Sequence, residues 1–457
     1  MAESSSSNNT HGCPISRIAP DQLYSILLLL PVNSIISFSM TCKRFNSILI
    51  SDSLWEAIYR RDWGPNTVDA LKSSSKFSNL PWLKLYQKFS AMDSLSCCRL
   101  SQHEDDFGLL PRPRASHSLN FVSDSLVLFG GGCEGGRHLD DTWVAYVGSG
   151  VGRIINWQRV QSETPSGRFG HTCVIVGNDL VLFGGINDKG VRQNDTWVGH
   201  VTYHDNLGIT FSWKLLDVGS TAPPPRGAHA GCCIDDRKMI IHGGIGFNGL
   251  RLGDTWVLDL SENLHFGTWR EIVTQPSPPA RSGHTLTCIG GTKTVLFGGR
   301  GAGYDVLNDI WLCYTNEEED VTWVQIQYDL QNIPDGVSLP RVGHSASLIL
   351  GGRLLIYGGE DSYRHRKDDF WVLDTRAISS VEMQALSWNL KKLSVNMWKR
   401  LSTTGYKPAA RSFHRACVDY SGCCLFVFGG MVDGLLQPAE VYGLRFDDEL
   451  FLVELML

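Results

Sequence analysis

The sequence predicts a mainly β chain, a six-bladed β-propeller preceded by a small α-helical segment. One observation is a block that recurs six times from Arg114 to the C-terminus: Arg-x-x-His, a strand-like run ending in Gly-Gly, then an acidic-x-aromatic triplet. A second is the period, roughly 55 to 70 residues with the landmarks always in the same order, which is the signature of a propeller blade. A third is that the apolar pattern ahead of the first copy is helical rather than strand-like.

The elements follow in order. Residues 1–13 are Ser- and Asn-rich, nearly devoid of apolar groups, and expected to be disordered. Pro20-Asp21 opens a helical stretch through Leu23, Ile26, Leu27 and Leu30, which Pro31-Val32-Asn33 breaks. A second stretch carries Ile35, Ile36, Phe38, Cys42, Phe45, Ile48 and Leu49 at helical spacing, with Asn33 or Ser34 as candidate N-caps. Asp52–Tyr59, with Leu54, Trp55 and Ile58, starts a third. Residues 65–80, rich in Ser and Lys, read as a linker or exposed excursion. The expected organisation is a tail over 1–13, helices over 14–64, a helical linker over 65–95 and the propeller over 96–457. A helical bundle of about 40 residues is marginal alone and needs a partner to bury its surplus apolar face.

Within the repeats, the Arg and His pairs are Arg114/His117, Arg168/His171, Arg226/His229, Arg281/His284, Arg341/His344 and Arg411/His414. Between His and Gly-Gly lie two short apolar strands, such as Thr172–Val176 and Leu180–Phe183, around the turn Gly177-Asn178-Asp179. After Gly-Gly a polar loop leads to a third strand at Asp141-Thr-Trp143, Asp195-Thr-Trp197, Asp254-Thr-Trp256, Asp309-Ile-Trp311, Asp369-Phe-Trp371 and, more weakly, Glu449-Leu-Phe451. A second tryptophan, Trp157, Trp213, Trp269, Trp323 or Trp398, opens a fourth strand, and the two indoles per copy serve as wedges between stacked blades. The last copy ends after its third strand. Cys97-Cys98-Arg99-Leu100 aligns with Trp398-Lys399-Arg400-Leu401, so the segment ahead of the first blade is expected to complete the sixth.

These landmarks resemble the kelch repeat over about four-fifths of the chain. The N-terminal stretch resembles the F-box: a Pro-initiated helix, a break, Cys42-Lys43-Arg44-Phe45 and Leu54-Trp55, with Ala19-Pro20 where Leu-Pro is usual. Asp62-Trp63-Gly64 and Trp82-Leu-Lys-Leu-Tyr86 extend it as in plant F-box proteins. Together the halves resemble the F-box/kelch family, which includes plant blue-light receptors. Those carry an upstream flavin-binding domain for which this chain has no room, so light sensing is not expected.

The resemblance implies a substrate-recognition subunit of an SCF-type cullin–RING ubiquitin ligase. Pro20, Leu23, Ile26, Leu27, Leu30, Pro31, Ile35, Ile36, Leu54 and Trp55 would dock on a Skp-type adaptor, and the propeller would bind a target protein. The alternative is a kelch-propeller enzyme or small-molecule binder whose helices form a cap. Substrate selection falls to the loops after Gly-Gly, where Arg137, Arg192, Arg251, Arg366 and Arg445 stand three or four residues before the third-strand acid and Arg300 stands earlier in its loop. They either form a basic ring for an acidic or phosphorylated segment, or each pairs with a nearby acid such as Asp188, Asp305, Glu360 or Asp361.

Composition narrows the classes further. A net charge of −6 and a pI near 6.2 argue against nucleic acid as a partner. There is no signal pattern and no apolar run near 18 residues, so a soluble cytoplasmic or nuclear protein without a membrane partner is expected. Thirteen cysteines without a Cys-x-x-Cys pair read as reduced thiols. The six repeat histidines suggest first-strand packing and hydrogen bonding rather than a metal ring. Iron-holding kelch proteins use Glu-x-x-x-Asp-x-x-x-His, whereas Glu360-Asp361 to His365 has the wrong spacing. Gly299-Arg-Gly-Ala-Gly303 sits in a blade loop and opens no helix. No catalytic site, cofactor or metal is expected.

Overall fold

The structure is a computed structural model that describes residues 15, 18–73, 77, 79–105, 107–147, 154–161, 164–204, 208–315, 321–327, 339–375, 378, 397–434 and 444–456. The tail expected over residues 1–13 lies outside them. The chain forms two compact units, one through Ala91 and one from Met92.

The first unit is helical: α1 Pro20–Leu27, α2 Val32–Ser39, α3 Lys43–Leu49, α4 Asp52–Trp63, α5 Pro65–Ser73 and α6 Trp82–Ala91. Pro20 sits at the first helical position, where its missing N–H costs nothing. Neither Asn33 nor Ser34 caps α2; the N-cap is Pro31, whose extended backbone lets its carbonyl accept from the N–H groups of Ser34 and Ile35 at 2.9 and 3.1 Å. The stretch expected to run from Ile35 to Leu49 divides at Cys42, which is extended. Ser39 and Thr41 hydroxyls donate to the carbonyls of Ile36 and Phe38 at 2.6 and 2.7 Å, ending α2 by side-chain competition with the ladder. Phe38 and Phe45 then stack across the break, ring centroids 4.1 Å apart. The Ser- and Lys-rich segment read as a linker is helical over α5 and packs inward through Val68 and Leu71, both buried. Leu85, Tyr86 and Phe89 of α6 are buried too, and Tyr59, Trp63 and Tyr86 form one aromatic cluster with Trp55.

The second unit is built from four-stranded antiparallel groups in propeller-like succession. The first comprises Ser118–Val122, Ser125–Phe129, Thr142–Tyr146 and Gln158–Arg159. The second comprises Thr172–Val176, Asp179–Asn187, Arg192–His204 and Gly208–Leu215, and the third Ala230–Ile234, Lys238–Ile245, Arg251–Leu260 and Gly267–Ile272. The fourth holds Thr285–Gly290, Lys293–Phe297, Ile310–Thr315 and Val321–Ile326, and the fifth Ser345–Ile349, Arg353–Tyr357, Phe370–Asp374 and Trp398–Gly405. In the last, Arg415–Val418, Cys424–Asp433 and Leu444–Leu455 are joined by Ser94–Arg99 from the other end of the unit. That strand begins at Ser94, so the helical linker expected to reach residue 95 gives way before it.

Both faces of each sheet are covered, which explains why the second strands read as unbroken apolar runs. Leu180 and Leu182 pack with Val127 and Phe129 of the preceding group, while Val181 and Phe183 pack with Met239 and Ile241 of the next. The fourth-strand tryptophans wedge between groups as expected: Trp213 meets Phe129 at 5.3 Å, Trp269 meets Phe183 at 4.8 Å and Trp398 meets Phe297 at 5.1 Å.

Ring closure is visible in the backbone. The residue before each repeat histidine donates its N–H to its counterpart in the neighbouring group: Ser116 to Phe413, Phe413 to Gly343, Gly343 to Gly283, Gly283 to Ala228, Ala228 to Gly170 and Gly170 to Ser116, at 2.6 to 2.9 Å. The circuit returns to its starting residue. All members have positive φ, from 55° to 68°, which Gly170, Gly283 and Gly343 adopt without penalty and Ser116, Ala228 and Phe413 do not.

Candidate functional site

The repeat landmarks build the scaffold on which the variable loops sit. Arg226, fully buried, donates to Asp254 Oδ1 and Oδ2 at 2.7 Å each and to the Gly243 carbonyl at 3.0 Å, and Trp256 Nε1 donates to the same carboxylate at 2.7 Å. Arg114–Asp141, Arg168–Asp195, Arg281–Asp309 and Arg341–Asp369 repeat the arrangement. In the last group Arg411 reaches Glu449 at 2.5 Å and Asp447 at 3.2 Å, and Tyr406 donates to Glu449 as well. Burial opposes ionisation of Asp254, but the hydrogen bonds and charge of Arg226 outweigh it and lower the carboxyl pKa. Each pair thus ties the segment ahead of the first strand to the third-strand segment of the same group.

The glycine pairs answer to the histidines. A Cβ on Gly131 would stand 2.9 Å from the Cβ of His117, and one on Gly130 would stand 3.1 Å from the ring of His171 in the next group and 2.8 Å from the Arg168 carbonyl. Only glycine permits this approach at φ of +65° and +104°. The histidine rings are buried side chains of the inner strands. Burial first, and nearby arginines second, push His229 and His344 down to about 3, so the rings stay neutral. Among the described residues no group of three or more His, Cys, Asp or Glu is placed to hold a metal ion. Cys173, Cys232, Cys288 and Cys417 lie in the inner strands, where burial raises their thiol pKa values, that of Cys173 to about 12.

The loop arginines do not share one environment. Arg300 binds Glu360 at 2.8 Å, and Arg366 binds Asp433 at 2.5 Å with Glu360 at 3.8 Å. Arg251 lies over the Tyr304 ring, 4.4 Å from its centre, and donates to Ser282 at 3.1 Å. Arg192 donates to the Gly190 carbonyl, while Arg137 and Arg445 are exposed. Arg251, Arg300 and Arg366 therefore tie neighbouring loops together, Arg300 and Arg366 through acids and Arg251 through a ring and a hydroxyl. What the arginine pattern missed is aromatic: Phe247, Tyr304 and Tyr363 stand 70% or more exposed in loops after Gly-Gly.

In the helical unit the ten assigned residues divide. Leu23, Leu27, Ile35, Leu54 and Trp55 are buried inside the unit, Trp55 further held by Nε1 to the Leu49 carbonyl at 2.7 Å. They are core rather than contact residues, because short helices can exclude water only by turning their strongest apolar positions inward. Pro20, Ile26, Pro31 and Ile36 are exposed and Leu30 is half-buried. Three residues outside the assigned set, Leu29, Met40 and Ile50, are more exposed than Ile26 and Ile36, at 84%, 82% and 63%. Ile36 and Met40, the C-cap of α2, stand four residues apart and share a face, while Leu29 lies in the turn just beyond α1.

A helical unit with outward apolar side chains, followed in sequence by Arg-x-x-His/Gly-Gly sheets in propeller-like succession, defines an F-box joined to kelch repeats. Comparison with known proteins agrees. The F-box domain family matches residues 17–57, and the KLHDC2/KLHL20/DRC7 Kelch-repeats domain matches residues 88–264 and 208–385. The chain is 58% identical over 457 residues to the F-box/kelch-repeat protein At1g51550 of Arabidopsis thaliana, covering 99% of this chain and 94% of that one. It therefore belongs to the F-box/kelch-repeat family. It is also 29% identical over 424 residues to Adagio-like protein 3 of Oryza sativa subsp. japonica and 28% over 425 residues to Adagio protein 3 of Arabidopsis thaliana. These cover 92% of this chain in each case, but the chain spans only 61% and 62% of their length.

Proposed function

We propose that this chain is the substrate-recognition subunit of an SCF-type cullin–RING ubiquitin ligase, its F-box docking on a Skp-type adaptor and its propeller, read as six blades, holding a target protein. The ligase chemistry takes place on other subunits; this chain contributes proximity and orientation. The observation that carries the reading is the exposed apolar set Ile26, Leu29, Ile36 and Met40 in a unit whose other large apolar groups are mostly buried. Such a surplus face is what a small bundle surrenders to a partner. The exposed aromatics Phe247, Tyr304 and Tyr363 support protein recognition by the loops, since aromatic anchors dominate protein interfaces. No described helix is long and apolar enough to cross a membrane, and the proposed place of action is the cytoplasm or nucleus.

The test is co-purification with a Skp-type adaptor. Leu29→Asp and Met40→Asp are expected to abolish it without unfolding the helices, because both side chains already face solvent. Undiminished binding by both variants overturns the docking assignment.

A further inference from the structure

We propose that the central channel of the propeller is a binding site for a small phosphate-type oxyanion, held by Arg415 and by the unpartnered histidine rings beside it.

The position after each repeat histidine is equivalent in every group: Ser118, Thr172, Ala230, Thr285, Ser345 and Arg415. All of them line one cavity of about 210 Å³. Five are small, as converging inner strands require. The sixth brings a guanidinium to the axis. Its Nε donates to the His117 carbonyl at 2.8 Å, and among the described residues no carboxylate pairs with it. Every repeat arginine, by contrast, is matched to an acid. Burial alone pushes Arg415 down to about 10, so it remains a cation at neutral pH. Arg415 is half-buried and has, among the described residues, no counter-charge at the cavity, and a planar guanidinium is suited to an oxyanion.

The second observation concerns the histidines. His171, His229 and His284 line the same cavity and are 1%, 3% and 6% exposed, and neither ring nitrogen of His229 or His284 has a hydrogen-bond partner. A neutral imidazole presents one donor and one acceptor. Asn120 Oδ1, also at the cavity, is a further unpartnered acceptor. One cation with mixed donors and acceptors fits hydrogen phosphate, which both accepts and donates; sulfate only accepts. At about 30 Å³ per water the cavity holds roughly seven waters, room for phosphate or a small phosphomonoester.

The experiment is calorimetric titration of the full chain with inorganic phosphate in chloride buffer at constant ionic strength, with sulfate and phosphoserine as parallel titrants. One phosphate per chain is expected, with sulfate at least tenfold weaker and R415Q reducing phosphate affinity at least tenfold. Tighter binding of phosphoserine than of phosphate assigns the site to an ester; equal or weaker binding assigns it to the free ion. Should R415Q fail to fold, Ala230→Leu fills the cavity without touching Arg415 and is expected to abolish binding. No phosphate heat with the unsubstituted chain, sulfate binding as tight as phosphate, or undiminished affinity in either folded variant overturns the proposal.

Discussion

Replacing Asp254 with asparagine changes almost no volume and isolates what the repeat Arg–acid pair does. Arg226 keeps its bonds to the carbonyls of Gly243 and Pro224 at 3.0 Å each but loses the second charged oxygen. The amide NH₂ cannot accept: at the Oδ2 position it strands both Arg226 Nη2 and Trp256 Nε1, and at the Oδ1 position it faces Arg226 Nη1. Breaking a buried ion pair from one side costs about 3–5 kcal/mol, and the partial exposure of the Asp254 side chain places this case near the lower figure, about 3 kcal/mol. The control is Asp259→Asn, whose contacts with Lys238 and Arg270 at 3.6 and 3.5 Å are exposed. Its expected cost is below about 1 kcal/mol. Urea denaturation of both variants, followed by tryptophan fluorescence, gives the comparison. An Asp254→Asn midpoint as close to the unsubstituted chain as that of Asp259→Asn would refute the argument that these pairs hold the groups together.

Further expectations follow from other parts of the structure. His229, His242 and His344 are pushed down to about 3 by burial, below the unfolded value near 6.5, so their contribution is complete above pH 6.5 and is lost as pH falls toward 3. At pH 5 each withdraws about 2 kcal/mol, and a melting temperature unchanged between pH 7.5 and 5 contradicts this. Ala228→Gly relieves a positive φ in the closed backbone circuit and is expected to raise stability by about 0.5–1 kcal/mol; a lowered melting temperature counts against the strain. Deleting residues 94–99 is expected to lower the melting temperature of the last group, since it exposes the edges of Leu444–Leu455 and Trp398–Gly405. Replacing Arg192, Arg251 and Arg366 together with Glu is expected to change the recovered target proteins through loop rearrangement while adaptor binding persists, because Arg251 and Arg366 bridge neighbouring loops.

Much of the architecture was legible because repetition amplifies weak signals. One Gly-Gly or one Trp means little, but each recurs beside the same neighbours, and the closing strand could be found by aligning Cys97 with Trp398. The Arg–acid pairs were within reach by the same logic, since both partners recur 27 or 28 residues apart in five copies. The repeat alone does not say that they touch, because a two-strand hairpin separates them along the chain. The helical unit was harder. In helices of seven to twelve residues the apolar pattern names a face but not which face is covered, so Leu27 and Leu29 look alike in sequence although only Leu27 is buried. The loop arginines can be located along the chain from the sequence, yet whether a cation is engaged depends on residues such as Glu360 and Asp433 in other loops. Position in sequence does not carry that.

The strand Ser94–Arg99 does more than finish the last sheet. It pairs antiparallel with Leu455 through Phe451 and, on its other edge, parallel with Ser402 through Gly405. The Trp that its counterparts bring is replaced by Cys97, and this second ladder supplies the support the missing indole does not. Ser94 is also where the helical unit's covalent connection enters the propeller. Tension that enters at Ser94 therefore acts on a strand held along both edges, so two ladders rather than one resist it. The point where the helical unit is tethered thus coincides with the seam between the last two sheets.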